Sequence, residues 1–94
     1  YAPEEKPAPF DFAAVVTGYD AATGMATVQQ RSPFRPGMEV EFIGPGGRLF
    51  RQQIGEMTDA DGTPLTVARH PLQAIRLRTE QPVAPLDLMR KKIV

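Results

Sequence analysis

Two proline–glycine turns bracket a short segment, Met38–Ile43, in which Met38, Val40 and Phe42 alternate with Glu39 and Glu41. A period of two marks a strand with one buried face. Before it, Pro36-Gly37 fits a type II turn, in which proline presets the first corner and glycine takes the second. After it, Gly44-Pro45-Gly46-Gly47 repeats the same chemistry. Turn, strand and turn at this spacing build one corner of a small β-barrel, and the run carries no catalytic group.

The rest of the chain has the same punctuation. Tyr1–Pro9 holds three prolines and three charges and reads as a linker or extended arm. Phe10–Tyr19 reads as a first strand, with Phe12, Ala14 and Val16 on one face and Gly18 marking a bulge or a close approach. Asp20–Gly24 is a turn that Asp20 can cap through its side chain, with Gly24 supplying a positive φ. Met25–Gln30 is the second strand and Met38–Ile43 the third. Leu49–Met57 is read as one fourth strand. Asp59–Gly62 is a hairpin signal with glycine at the left-handed position. Leu65–Val67 and Gln73–Thr79 follow as strands, and Asp87–Val94 suits a last strand or a helical turn. Six to seven short strands with no long helical period between them point to an all-β fold, a small closed antiparallel barrel spanning 10–94. The expected core is Val16, Val28, Val40, Phe42, Ile54, Val67, Ile75 and Leu77. Closing the sheet would remove exposed strand edges.

Composition narrows the functional classes. Ninety-four residues make one domain. Cysteine is absent, which excludes disulfides, thiolate metal sites and thiol catalysis, and His70 is the sole histidine, so no multi-histidine metal site can assemble. No metal and no cofactor is expected. No apolar run reaches the roughly 18 residues a membrane span needs, and no basic-then-apolar leader opens the sequence. The chain starts at Tyr1 rather than methionine, so a piece of a longer polypeptide is expected. Charges balance at 11 basic and 11 acidic residues but are unevenly placed: residues 1–30 carry one lysine against four carboxylates, residues 31–94 ten cations against seven. Arginine outnumbers lysine eight to three, and arginine favours planar contacts with carboxylate or phosphate.

Each candidate motif has a plainer alternative. Glu39 and Glu41 sit i, i+2 on one strand, whereas an acid/base pair must face across a cleft, so a solvated face is the expected role. Asp59-x-Asp61-Gly62 lacks the closing glutamate and flanking helices of a calcium loop. His70, between Arg69 and Pro71, has no nucleophile motif around it and suits a corner hydrogen bond or an interface contact. The glycine-rich Gly44–Arg48 stretch leads into a strand rather than a helix, unlike a phosphate loop. Arg31, Arg35, Arg48, Arg51, Arg69, Arg76 and Arg78 are candidates for a basic face, with Phe34 available to stack on a base.

From Gly24 to Lys91 the sequence resembles the C-terminal domain of the bacterial collagenase-like peptidases, peptidase family U32. The resemblance is carried by VQQRSPFRPGMEVEFIGPGG at 28–47, MTDADGTPLTVARHP at 57–71 and QPVAPLDLMRK at 81–91. It implies a barrel similar to the β-barrel domains of translation elongation factors and a cytoplasmic bacterial parent described as a peptidase, a hydrolase whose catalytic apparatus lies in an upstream domain. Some relatives act in RNA modification. No catalytic residue of the family maps onto this segment.

These readings give a first expectation: a non-catalytic lid or substrate-recognition domain beside the upstream catalytic domain, holding part of a polypeptide substrate. The alternative is an RNA-docking module of a tRNA-hydroxylation enzyme, with arginines on phosphates. The Arg31–Pro36 loop and the Gly44–Arg48 turn are the candidate contact surfaces, and Arg31, Phe34, Arg35, Arg48 and His70 the candidate binding residues. A monomer without membrane contact is expected.

Overall fold

The computed structural model of the protein describes residues 10–44, 49–68 and 70–92. The expected Tyr1–Pro9 arm, most of the 44–48 turn with Arg48, Arg69 and the last two residues lie outside the described residues. Eight strands form, with no helix among the described residues: β1 (Phe10–Asp20), β2 (Met25–Gln30), β3 (Glu39–Ile43), β4 (Leu49–Gln53), β5 (Met57–Asp59), β6 (Pro64–Leu65), β7 (Ala74–Arg78) and β8 (Leu88–Lys92). They make one antiparallel sheet in the order β4-β3-β8-β1-β2-β7-β5-β6, curled into a half-barrel.

β1 is the axis of the curl. Its first half pairs with β8 (Phe10–Val15) and its second half with β2 (Ala14–Asp20). Register shifts at Phe12/Ala14 against β8 and at Val16/Gly18 against β2 bend it twice. Each bulge adds a residue and increases the local twist, which is how a sheet wraps round its own core. The second bulge falls where Gly18 signals it.

Directly paired residues share a face, so register gives the core as rows. Ala14 lies between Gln30 and Met89, and Met89 continues to Phe42 and Phe50, whose rings stack 5.0 Å apart. Val16, Val28 and Ile75 form a second row, and Ala26, Leu77 and Met57 a third. All are buried. Of the eight expected core residues only Val67 fails: it is half-buried, and Ala68 beside it points inward instead. The inversion comes from an isolated bridge in which Phe34 and Ala68 exchange both backbone hydrogen bonds, 3.0 and 2.7 Å.

Two expectations of the sequence are corrected here. The barrel is not closed, and it has eight strands rather than six to seven. The Leu49–Met57 run is two strands, because Ile54 leaves the sheet to exchange hydrogen bonds with the Gly37–Met38 corner (Gly37 N to Ile54 O, 2.7 Å; Ile54 N to Met38 O, 2.8 Å). No backbone ladder joins the edge strands β4 and β6. A side chain of β4 instead reaches the end of β7: Gln52 donates from Nε2 to the Arg78 carbonyl at 2.9 Å and accepts from the Glu80 amide at 2.7 Å. One side-chain amide thereby satisfies the carbonyl of the last β7 residue and an amide two residues beyond it.

The turns are chemically legible. Asp20 Oδ1 accepts from Ala22 N at 2.9 Å, and Gly24 takes φ 75°. Asp59 Oδ1 accepts from the amides of Asp61 and Thr63 at 2.8 and 3.0 Å, and Gly62 takes φ 88°, so the two aspartates serve a hairpin. Three further turns share a proline at the second position: Arg35-Pro36-Gly37-Met38, His70-Pro71-Leu72-Gln73 and Ala84-Pro85-Leu86-Asp87. The first has Gly37 at φ 93°, but the other two hold leucine at φ 66° and 78°. Leu72 and Leu86 are also 60% and 73% exposed, so little side-chain burial offsets the backbone strain.

Candidate functional site

The convex face of the sheet collects the charge. On β1, Phe10 and Phe12 point outward; Phe12 is set opposite Arg90, which is opposite Glu41, which is opposite Arg51. One step along, Phe10 is opposite Lys92, whose Nζ lies 3.6 Å from Glu39. On the other flank of β1, Thr27 of β2 is opposite Arg76 of β7, and Met25 is opposite Arg78. Arg31, just past β2, lies over Phe12 with its guanidinium carbon 5.9 Å from the ring centroid. The face therefore bears Arg31, Arg51, Arg76, Arg78, Arg90 and Lys92 against Glu39, Glu41, Asp20 at the hairpin tip, and Glu56, which lines an open groove with Met25, Thr58 and Arg78.

Glu41 is not on a solvated face, as its alternation suggested; it is 2% exposed. Arg51 Nε donates to Oε2 at 3.2 Å and Arg90 Nε to Oε1 at 3.0 Å, with Arg90 Nη2 also on Oε1. Phe10 covers the cluster, with the Arg51 and Arg90 guanidinium carbons 5.1 and 5.7 Å from its centroid. Burial pushes the Glu41 carboxyl up, but the hydrogen bonds from Arg90 and Arg51, and their charges, outweigh it and hold the group below its ordinary 4.5. Sequence missed this because the alternation is correct: Glu41 does face away from the core, and the neighbouring strands then cover it.

Subtracting these pairs leaves Arg31, Arg76 and Arg78 on the face with no ion pair among the described residues. Arg76 and Arg78 are i, i+2 neighbours, so their Cα atoms stand about 6.8 Å apart on one side. Two of the expected binding residues behave differently from Arg31. Phe34 is 2% exposed, packed within the core and bridged through its backbone to Ala68, so it cannot stack on a ligand. Arg35 is exposed and lines an open groove of about 660 Å³ with Met38, Glu39, Gln53, Lys91 and Lys92, on the β3 and β8 side of the charged face and three strands from Arg76 and Arg78. His70 is exposed and opens the Leu72 turn through its carbonyl, which accepts from Gln73 N at 3.1 Å. Arg48 lies outside the described residues. The aromatic that does reach the surface beside an arginine is Phe12, 39% exposed. The doublet Ala13-Ala14, two small apolar residues that cannot share a face on a regular strand, is the signal that would have revealed its outward turn.

A smaller apolar cleft of about 280 Å³ opens between the edges of the half-barrel, lined by Pro36, Ile54, Met57, Pro64 and Leu65 among others. No group of three or more His, Asp or Glu residues among the described residues could hold a metal ion. No helix among them is long and apolar enough to cross a membrane.

Residues 9–90 match the family model of the peptidase family U32 C-terminal domain. Two crystal structures of the C-terminal domain of a protein described as a U32 peptidase, from Geobacillus thermoleovorans, superpose with a TM-score of 0.83 at 52% identity. Both cover 86% of this chain, and the alignment takes in 99% and 91% of theirs. The tRNA hydroxylation protein P1 of Bacillus subtilis (strain 168) is 43% identical over 82 residues, which is 87% of this chain. The same alignment covers 19% of that relative, so the chain spans about a fifth of its length. With the family model and the solved domains in agreement, the chain belongs to the peptidase family U32 as its C-terminal domain.

Proposed function

We propose that this domain is a non-catalytic substrate-positioning module that docks RNA on its convex sheet face for a catalytic domain elsewhere in the same polypeptide. The observation that carries the reading is the set of three arginines with no ion pair among the described residues, Arg31, Arg76 and Arg78, on a face that also exposes Phe12. Arginine forks suit phosphate oxygens, and aromatics suit base faces. The neutral net charge of the chain does not oppose this, because the fold sorts the charges by face. The 43% identity to a protein named for tRNA hydroxylation supports transfer RNA as the substrate class, and hence a place in the cytoplasm. The module is monomeric in this reading.

Titrating fluorescent transfer RNA with the isolated domain tests the proposal. Binding at low salt that falls steeply as salt rises supports it. Absence of binding at low salt overturns it.

The apolar cleft at Ile54, Met57 and Leu65 favours a second reading, a lid that holds a polypeptide strand. Pro64 and Leu65 of the edge strand β6 line the cleft, and there an extended peptide could add backbone hydrogen bonds. That mode depends little on salt, so the same titration made with unstructured peptides separates the two.

A further inference from the structure

We propose that Phe12 and Arg31 form a stacking site for one unpaired RNA base, and that Arg76 and Arg78 hold the backbone of the strand leading from it. This rests on the RNA-docking reading and adds what it leaves open, the class of RNA and the contact that selects it.

The two outward phenylalanines of β1 supply the comparison. Phe10 has two guanidinium groups over its ring and is 8% exposed. Phe12, two residues on and on the same face, has one guanidinium and is 39% exposed. Same strand, same residue type and same kind of partner differ in one respect: the second ring keeps open surface. A base can use that surface, with the Arg31 guanidinium adding a planar cation beside it.

The site is rigid. The bulge at Phe12/Ala14 separates Phe12 from the core-facing Ala14, and bulges re-aim side chains in this way. The Phe12 amide donates to Asp11 Oδ1 at 2.9 Å, and its carbonyl accepts from Ser32 Oγ at 2.6 Å. The Ala13 carbonyl accepts from the amides of both Arg31 and Ser32, at 2.7 and 3.1 Å. Phe12 and Arg31 are thereby tied to each other through the backbone before any ligand arrives, which lowers the ordering cost of binding.

Geometry sets the reach. From Arg31 back to Thr27 is four residues of β2, and Arg76 is one strand across from Thr27. The separation is about 14 Å along and across the sheet. A single strand of two or three nucleotides covers it. A duplex presents phosphates at this spacing but no base face to Phe12, so the site selects single-stranded segments.

The isolated domain is a fair object for the test, because the corresponding Geobacillus domain crystallises alone. The chain has no tryptophan. Phe12→Trp therefore places a single indole reporter at the site. Titration with a short single-stranded oligoribonucleotide should quench it, and long duplex RNA, whose base faces are covered everywhere but at its two ends, should not at equal nucleotide concentration. In parallel, Phe12→Leu should weaken single-strand binding about tenfold, the loss of one base stack, while leaving duplex binding and the salt slope unchanged. Circular dichroism of both variants checks that the fold persists. Salt-sensitive binding by the unmodified domain, with no quenching and no loss on Phe12→Leu, overturns the stacking site and leaves RNA docking standing. No RNA binding by the unmodified domain at low salt overturns both.

Discussion

Replacing Glu41 by glutamine removes the charge at the centre of the Arg51–Glu41–Arg90 row while keeping its shape. The carboxylate side chain is 3% exposed, and its two partners are 58% and 32% exposed. Breaking a buried ion pair by deleting one member typically costs about 3–5 kcal/mol, because the remaining charge is stranded. Here both stranded arginines reach water and can rehydrate, which places the expected loss nearer about 2 kcal/mol. For a domain of this size that lowers Tm by roughly 8–16 °C. The pH dependence follows from the sign of the shift. The folded carboxyl titrates below its ordinary 4.5, so its contribution is present above that value and is lost as pH falls through the folded pKa. Urea unfolding of both proteins at pH 7 and at about pH 3 is the assay. The gap between wild type and Glu41→Gln should be about 2 kcal/mol at pH 7 and should narrow in acid. A gap below about 0.5 kcal/mol at pH 7, or one that does not narrow, would refute the argument that burial and two arginines make this charge structural.

Other consequences concern the turns and the open edge. Leu72→Gly and Leu86→Gly each relieve a left-handed leucine that is mostly exposed, and the chain entropy of glycine offsets part of the gain. Each should stabilise the domain by a few tenths to about 1 kcal/mol in thermal unfolding; a loss of stability would mean that these leucines pack. Gln52→Leu leaves the Arg78 carbonyl and the Glu80 amide without their shared side-chain partner. It should cost about 2 kcal/mol and speed amide hydrogen exchange at Glu80, whereas unchanged exchange there would contradict that role.

How much of this is legible in the sequence depends on the range of the interaction. Turn chemistry is local, so Asp20, Gly24, Gly37, Asp59 and Gly62 take the roles that their types require. Alternation is also local, and it places Val16, Val28, Val40, Phe42, Ile75 and Leu77 in the core. The failures arise where a distant segment decides. Glu41 is buried because β4 and β8 bring arginines to either side of it, from 10 and 49 residues away. Phe34 is in the core because Ala68 captures its backbone. The barrel stays open because Ile54 pairs with the Gly37–Met38 corner instead of extending β4. The basic face shows the same pattern: its arginines are visible as a composition bias, but register alone separates Arg31, Arg76 and Arg78 from the arginines spent on Glu41.

The central claim, that RNA docks on the convex face, is tested most directly by the salt dependence of transfer RNA binding in two variants. Two phosphate contacts, one from each of Arg76 and Arg78, predict that wild-type affinity falls about 7- to 12-fold between about 50 and 200 mM salt. The double variant Arg76→Ala/Arg78→Ala should bind more weakly, with a log–log salt slope shallower by about two, whereas Arg35→Ala, which removes a cation from the groove beside β8, three strands from Arg76 and Arg78, should leave the slope unchanged. A double variant that matches wild type, or an Arg35→Ala variant that takes the loss instead, would contradict the account.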